Sequence, residues 1–176
     1  MPKKVAVFFD RDGTLIHNAH YPSKPDDVRF MPGAREALIQ LQQQGFLLFI
    51  ISNQSGIGRG YVTPEEAESV HRKVAADLEA SGIKLGYAYY CPHSPDDNCQ
   101  CRKPSPYMLL DAADKFNLEI SRSFMIGDRG VDIETGKRAG CRTILLRENL
   151  IVEEQESQPD YVAADWSKIV AYIEGK

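Results

Sequence analysis

The run Asp10-Arg11-Asp12-Gly13-Thr14 sets two carboxylates two residues apart, directly after the apolar segment Val5–Phe9. If that segment is a strand, both side chains can reach the same side of a cleft, and Gly13 lets the chain turn away at once. Two acids so close repel each other unless a cation keeps them ionised or one of them stays protonated. A phosphoryl-transfer site with Mg²⁺ supplies both conditions.

The two carboxylates suit different tasks in such a reaction. We expect Asp10, ionised against Mg²⁺, to attack phosphorus and form an aspartyl phosphate. Asp12 is expected to protonate the leaving oxygen and later to deprotonate the attacking water. Taken alone, the run is equally typical of a surface turn. A calcium loop fits less well, because Leu15 and Ile16 stand where such a loop continues with oxygen ligands.

A second acidic run, Gly127–Asp132, also follows an apolar segment and offers further metal ligands. We expect Asp128 to complete the Mg²⁺ site together with Asp10 and the backbone carbonyl of Asp12. Asp132 leaves two interpretations open, a carboxylate behind the metal ligands or a cap on the helix that follows.

Three further polar residues stand where they could act on a phosphate. Ser52 and Asn53 end a second apolar segment and can donate hydrogen bonds to phosphoryl oxygens. Lys103 is expected to neutralise the charge that grows on the transferred group. Each of them alone is also typical of a strand-end turn or of solvated surface, so the assignment depends on their coming together.

The apolar periodicity predicts strands that alternate with helices. Such alternation is typical of a parallel sheet with helices on both faces, and ligands then bind beyond the carboxyl ends of the strands. The aspartates, Ser52 and Asn53 do follow predicted strands. The predicted strands are Val5–Phe9, Phe46–Ile51, Tyr87–Tyr90, Ser123–Ile126, Thr143–Leu146 and Tyr161–Ala163. The predicted helices begin after Pro32-Gly33, at Thr63-Pro64, at Ser105-Pro106, at Asp132 and at Trp166.

These candidates form a recognisable set: Asp10-x-Asp12-Gly13-Thr14, Ser52, Lys103 and Asp128. Their order and their strand-end setting resemble the four sequence motifs of the haloacid dehalogenase superfamily. The resemblance implies a Rossmann-like three-layer α/β sandwich with a mainly parallel sheet, and a Mg²⁺-dependent phosphatase activity. It also implies the roles given above: nucleophile, acid/base, phosphate binder, charge stabiliser and metal ligand.

Three cysteines and a histidine crowd into one loop, Cys91–Cys101, just before Arg102 and Lys103. Three thiolates and an imidazole suit tetrahedral Zn²⁺, and four protein ligands leave no position open for catalysis. We expect a structural zinc that folds the loop and delivers the two cations to the cleft. A metal-free reduced loop stays open as an alternative, as does a site with Cys141 in place of the histidine. The expected ligands are Cys91, His93, Cys99 and Cys101.

The glycine-rich segment Ser52–Gly60 indicates which phosphate ester is bound. Its glycines let backbone amides approach an anion, and Arg59 adds a bidentate donor. Together with the cysteine loop it resembles the D-glycero-D-manno-heptose 1,7-bisphosphate phosphatases, from about Val5 to Leu146. That family lacks a large cap domain and removes the 7-phosphate during synthesis of nucleotide-activated heptose for bacterial surface glycans, including lipopolysaccharide. The resemblance implies substrate contacts from Asn53, Arg59, Arg102 and Lys103, with Arg129 in place of a frequent lysine.

Three other functions compete with this one. Histidinol-phosphate phosphatases form a sister branch with the same zinc loop, but Arg59 favours a substrate with a second phosphate over cationic histidinol. A non-catalytic, zinc-stabilised binding protein would be expected to lack Asp10 or Asp12, and both are present. A polynucleotide end-phosphatase would be expected to carry a basic stripe.

The composition limits the classes of protein and of partner. The chain has 176 residues and a net charge of −4, which argues against a nucleic-acid partner. No apolar run is long enough to span a bilayer or to form a signal-peptide core. We therefore expect a monomeric cytoplasmic protein with one domain over residues 1–176, acting on a small anionic sugar phosphate without a membrane partner. The polar stretch Glu153–Pro159 is the only linker-like segment.

Overall fold

One sheet of six parallel strands organises the computed structural model, which describes residues 2–150 and 157–175. Positions 153–156 of the predicted linker-like stretch lie outside the described residues. The strands are β1 Ala6–Phe9, β2 Leu47–Asn53, β3 Leu85–Cys91, β4 Phe124–Gly127, β5 Arg142–Leu146 and β6 Tyr161–Ala163.

The strands lie in the order β3-β2-β1-β4-β5-β6, and each neighbouring pair is parallel. Phe9 of the central strand β1 pairs with Ile50 of β2 on one side and with Ile126 of β4 on the other. The chain builds outward from β1 through β2 to β3, and then returns to begin β4 on the opposite side of β1. Ligands of such sheets bind in the crevice at this reversal, outside the carboxyl ends of the strands.

Helices cover both faces of the sheet. Buried residues of α1, α3 and α6 form one core, and those of α4 form a second core on the opposite face. Val7 and Phe9 of β1 belong to the first core, whereas Ala6 and Phe8 belong to the second, so the strand is apolar without alternation. The predicted three-layer sandwich is confirmed. The helices are α1 Ala34–Gln43, α2 Ser55–Gly58, α3 Pro64–Ala80, α4 Tyr107–Phe116, α5 Gly130–Ala139 and α6 Trp166–Glu174, with 3₁₀ turns at Pro25–Asp27, Pro95–Asp97 and Ile120–Arg122.

The helix predicted to begin at Asp132 begins two residues earlier, at Gly130. Asp132 is its third residue, and the carboxylate accepts a hydrogen bond from the backbone N–H of Arg129 at 3.2 Å. An acid at this position reaches back over the first turn, so the capping interpretation holds although the boundary was wrong. The other predicted strands and helices lie within two residues of the observed ones. None of the helices in the described part of the chain has the length and apolar character needed to cross a bilayer.

The last helix is tied to the turn that carries the first acidic run. Trp166 begins α6 and is buried, and its indole N–H donates to the carbonyl of Thr14 at 2.9 Å. Its ring meets Phe9 edge-on, with the ring centroids 6.3 Å apart. Because a buried carbonyl needs a donor, α6 completes the hydrogen bonding of the turn that follows Asp12.

Helix α3 begins with the predicted capping box and places a histidine against the sheet. The Thr63 hydroxyl accepts from the Glu66 N–H at 3.1 Å, and the Glu66 carboxylate accepts from the Thr63 N–H at 2.8 Å. Further along, His71 stacks on Tyr90 of β3, with ring centroids 3.4 Å apart and planes 6° apart. Burial, with a smaller contribution from the positive charge of Arg11, lowers the pKa of His71 to about 3.

We predict that this neutral, buried imidazole makes the protein sensitive to acid. The ordinary pKa of histidine is 6.5, so between that pH and about 3 the unfolded state binds a proton that the folded state does not, and stability falls with falling pH. His71→Phe keeps an aromatic ring but cannot be protonated. Its denaturant midpoint should fall less than that of the wild type between about pH 7.5 and about pH 5. An equal fall in both proteins would contradict the prediction.

Candidate active site

Three carboxylates meet at the carboxyl ends of β1 and β4. Asp10 follows β1, Asp128 follows β4, and Asp132 lies in the first turn of α5. One oxygen from each lies within 4.8 Å of the others. Carboxylate oxygens at this spacing suit Mg²⁺. The sequence predicted Asp10 and Asp128 in this group and left Asp132 either behind them or as a helix cap; the structure places its side chain in the group.

The ammonium group of Lys103 lies among these carboxylates. Its Nζ donates to Oδ1 of Asp10 at 2.8 Å, to Oδ1 of Asp132 at 2.6 Å and to the carbonyl of Ile51 at 2.9 Å. The side chain is only 2% exposed. Burial alone would lower the pKa of Lys103, but the two carboxylates outweigh burial and raise it. The group therefore stays a cation.

The charges in this cluster fit a divalent cation. Three carboxylates face one ammonium, and burial together with repulsion from Asp10 raises the pKa of Asp128 to about 6. Burial also raises the pKa of Asp132. A dication would bring the sum of charges to zero with all three carboxylates ionised, so both the donor atoms and the excess negative charge suit Mg²⁺.

Gly13 makes room for the predicted metal ligand Asp128. Its φ of +86° lies in the left-handed region, and a Cβ at this position would lie 2.4 Å from Oδ2 of Asp128. Thr14 donates its hydroxyl to the other oxygen, Oδ1, at 3.4 Å. The turn at Gly13 and Thr14, in the first acidic run, thus fixes the carboxylate of Asp128, which belongs to the second acidic run.

Asp12 lines the cleft through a separate set of contacts. Its carboxylate pairs with Arg11 at 2.9 Å and accepts a hydrogen bond from Gln54 at 2.8 Å. Gln54 also donates to the hydroxyl of the predicted phosphate binder Ser52, again at 2.8 Å. Sequence reasoning missed Arg11 and Gln54, because an arginine beside acids and a glutamine after a strand carry no distinguishing signal.

Asn53 and Arg102 reach the predicted place and also hold the loop that carries Lys103. Nδ2 of Asn53 donates to the Lys103 carbonyl at 3.2 Å, and Oδ1 accepts from the Lys103 N–H at 3.0 Å. Nη1 of Arg102 donates to the carbonyl of His93 at 3.3 Å. Both Asn53 and Arg102 line the cleft.

A cleft of about 400 Å³ opens over the carboxylates. The predicted residues that line it are Asp10, Asp12, Asn53, Arg102, Lys103 and Arg129. Arg59 follows α2 with an exposed side chain and lies outside this lining. The structure therefore brings Arg102 and Arg129 to the cleft but does not bring Arg59 there.

Two lining residues that sequence reasoning missed are His20 and Tyr21. Both have left-handed backbones, with φ of 50° and 67°, which is unusual for side chains of this size. The Tyr21 ring lies against Gly56, where a Cβ would be 2.6 Å from its Cδ1, and meets Tyr61 edge-on at 5.2 Å between centroids. No sequence signal marks two consecutive left-handed residues without glycine.

The cysteine loop brings together the four predicted zinc ligands, Cys91, His93, Cys99 and Cys101. The sulfur atoms lie 3.1 to 3.7 Å apart, and Nδ1 of His93 lies 3.5 Å and 3.3 Å from those of Cys91 and Cys101. A tetrahedral zinc with its usual bond lengths has ligand atoms about 3.5–3.8 Å apart. The observed separations lie within or slightly below this range, so the set suits Zn²⁺, and His93 rather than Cys141 groups with the three cysteines.

Comparison with known proteins agrees with this geometry. A family model described as HAD-hydrolase-like matches residues 100–169. The D-glycero-beta-D-manno-heptose-1,7-bisphosphate 7-phosphatase of Pasteurella multocida (strain Pm70) is 37% identical over 180 residues, which cover 98% of each chain. The chain belongs to the heptose-bisphosphate phosphatase family. Another family member, from Helicobacter pylori strain J99, is 39% identical over 142 residues, covering 80% of this chain and 82% of the relative.

A solved structure of the heptose-bisphosphate phosphatase family extends the likeness to three dimensions. D,D-heptose 1,7-bisphosphate phosphatase from B. bronchiseptica, complexed with magnesium and phosphate, superposes with a TM-score of 0.88 at 26% identity, over 97% of this chain and 98% of that one. The predicted superfamily and the class of phosphoric monoester hydrolase are confirmed. Phosphatases of this superfamily use Mg²⁺, in agreement with the carboxylate cluster.

We predict that Gly13→Ala uncouples Asp128 from the metal site. Both Gly13→Ala and the control Gly45→Ala place a side chain at a positive φ, which costs about 1–2 kcal/mol. Gly45 has φ +91°, and a Cβ added there would meet no atom within 4 Å, so its variant carries the backbone strain without a clash. Only Gly13→Ala should raise the Mg²⁺ concentration needed for half-maximal phosphatase activity. An equal Mg²⁺ requirement in both variants would contradict the prediction.

Removal of one zinc ligand should release the metal and loosen the loop. We expect one tightly held zinc per chain in the wild type, little in Cys99→Ser, and a lower unfolding midpoint for that variant, since metal binding supplies the folding energy of such loops. Cys141→Ser is the matched control, because Cys141 is buried outside the ligand group. Elemental analysis together with thermal unfolding tests this. A wild type without zinc, or a Cys99→Ser protein with a full complement, would show that the loop is held in another way.

Proposed function

We propose that the protein removes the 7-phosphate of D-glycero-D-manno-heptose 1,7-bisphosphate in a Mg²⁺-dependent reaction. The observation that carries the proposal is the position of Asp10, whose carboxylate shares one cluster with Asp128, Asp132 and Lys103. The identity of the proposed substrate rests on the similarity to heptose-bisphosphate phosphatases such as that of Pasteurella multocida, which matches nearly the whole chain.

Asp10 is the nucleophile in this proposal. Its bond to phosphorus forms while the bond from phosphorus to the sugar oxygen breaks, which leaves an aspartyl phosphate. Lys103 holds Oδ1 of Asp10 at 2.8 Å, so the carboxylate is fixed in rotation before the substrate arrives. When bound by Asp10, Asp128 and the backbone carbonyl of Asp12, Mg²⁺ supplies positive charge to the phosphoryl oxygens. The ammonium of Lys103 faces the charge that grows on the same group.

In the proposal, Asp12 acts on the leaving sugar oxygen and Ser52 on the phosphoryl group. Asp12 is the acid that protonates the sugar oxygen and the base that later takes a proton from water. The hydroxyl of Ser52 accepts from Gln54, so its own proton is the one it can donate to a phosphoryl oxygen.

Arg102 and Arg129 are the cations proposed for the second phosphate of the substrate. Both line the cleft, and arginine binds phosphate through paired hydrogen bonds. Asn53 adds an amide to the same lining. Arg59, which the sequence also suggested, stays a prediction for a substrate that extends beyond the cleft, because its side chain is exposed after α2.

Histidinol phosphate is the second candidate substrate, since the sister branch shares the zinc loop. The two arginines at the cleft disfavour it, because histidinol carries a positive charge where the bisphosphate carries a negative one.

We further propose a cytoplasmic monomer with one domain over residues 1–176, serving synthesis of activated heptose for surface glycans. The four cysteines are free thiols, which the reducing cytoplasm preserves. One sheet runs through the described residues, which supports a single domain.

The substrate proposal is tested by measuring kcat/KM for both anomers of the heptose bisphosphate and for histidinol phosphate. We expect a bisphosphate anomer to be preferred, and Asp10→Asn to abolish turnover while leaving the fold intact. A preference for histidinol phosphate would overturn the substrate, and a near wild-type rate for Asp10→Asn would overturn the nucleophile.

The arginine contacts are tested by alanine variants at positions 59, 102 and 129. Loss of a charge-assisted hydrogen bond should lower kcat/KM for the bisphosphate by about tenfold or more relative to heptose 7-phosphate, which lacks the second phosphate. We expect this selective loss for Arg102→Ala and Arg129→Ala. A selective loss confined to Arg59→Ala would place the second phosphate outside the cleft.

A further inference from the structure

Both oxygens of the Asp12 carboxylate are held by neighbouring side chains. Oδ2 accepts the two shortest hydrogen bonds, at 2.8 Å from Nε2 of Gln54 and at 2.9 Å from Nη2 of Arg11. Oδ1 accepts longer ones from Arg11, at 3.1 Å from Nη2 and at 3.2 Å from Nε. The carboxylate is therefore anchored more firmly through Oδ2 than through Oδ1.

The amide of Gln54 is oriented by its other contacts. Its Oε1 accepts from Nη2 of Arg11 at 2.8 Å, while its Nε2 donates to Asp12 and to the hydroxyl of Ser52. Rotating the amide by half a turn would bring its NH₂ group against the guanidinium and its oxygen against the carboxylate. Gln54 thus offers Asp12 a donor of fixed direction.

Arg11 is also fixed in place, by burial and by its contact with Tyr90. It is 1% exposed, and its guanidinium carbon lies 5.8 Å from the ring centroid of Tyr90, the ring that stacks on His71. Its Nη1 is buried without a hydrogen-bond partner among residues 2–150 and 157–175. Because an unpartnered buried donor costs free energy, stability alone does not account for an arginine here.

We propose that Arg11 and Gln54 are positioning residues that aim Asp12 for proton transfer, with Oδ2 anchored and Oδ1 exchanging the proton. The inference rests on the proposed acid/base role of Asp12. In the first step the bond from phosphorus to the sugar oxygen breaks, the bond from Asp10 to phosphorus forms, and the proton on Oδ1 passes to the departing oxygen. In the second step water attacks phosphorus, its proton passes to Oδ1, and the carboxylate of Asp10 is released.

The leaving group separates this role from a structural one. A sugar alkoxide needs a proton as it departs, whereas the nitrophenolate of nitrophenyl phosphate leaves without one. The ratio of kcat/KM for the heptose bisphosphate to that for nitrophenyl phosphate therefore reports proton transfer in the first step. General acids contribute about 10²–10⁴-fold, so misdirecting Asp12 in Gln54→Leu should lower this ratio by about tenfold or more. If histidinol phosphate is the better substrate, it replaces the heptose bisphosphate, because it is also an alkyl ester.

Three further variants complete the experiment. Gln44→Leu is the matched control. Gln44 follows α1 and is exposed, and it lies near the start of β2, at the edge of the sheet away from the cleft. This substitution should leave the ratio unchanged. Ser52→Ala removes the other group that Gln54 binds and should affect both substrates alike. Arg11→Lys keeps the charge but loses the paired geometry, and should lower the ratio.

The outcomes distinguish this inference from the proposed function. A lower ratio in both Asp12→Asn and Gln54→Leu supports the inference. A lower ratio in Asp12→Asn with an unchanged ratio in Gln54→Leu overturns it and leaves the acid/base role standing. An unchanged ratio in Asp12→Asn overturns both.

Discussion

The ammonium of Lys103 is a charge buried at 2% exposure, and such a charge is tolerable only while its partners stay within hydrogen-bond reach. Those partners come from three separate places: Asp10 after β1, the carbonyl of Ile51 in β2, and Asp132 in α5. The parallel sheet brings them together, because β1 lies between β2 and β4. A slip of one residue between β1 and β2 would displace the Ile51 carbonyl by about 3.3 Å and break the arrangement.

Lys103 itself stands on a loop, so its position needs another source of rigidity. The four predicted zinc ligands lie together in the loop just before it, and the amide of Asn53 binds both the N–H and the carbonyl of Lys103. A strand would hold a catalytic residue through its ladder of hydrogen bonds. Here the Cys91–Cys101 ligand group and Asn53 fix a segment that lies outside the strands of the sheet.

Residue type and spacing were sufficient to predict much of the fold and of the candidate site. The strands, the helices, the grouping of Asp10 with Asp128 and the grouping of the four candidate zinc ligands were predicted, because periodicity, strand-end position and metal-ligand spacing are local properties of a sequence. The roles of Arg11 and Gln54 were not predicted, since each depends on contact between segments about forty residues apart, as the Arg11–Gln54 separation of 43 shows. The left-handed backbone of Tyr21 was missed because its ring packs against Gly56 of α2, more than thirty residues away in the sequence. Local patterns thus locate the side chains that cluster at the sheet edge, and tertiary packing determines how each is oriented.

The bond from Trp166 to the carbonyl of Thr14 spans 152 residues of the chain. Proteins are synthesised from the amino terminus, so the acidic turn emerges from the ribosome long before the indole that completes it. A nascent chain carries Asp10 beside a turn that still lacks one of its hydrogen-bond donors. Translation of α6 is then the event that completes the hydrogen bonding of the turn, although the two segments lie 152 residues apart.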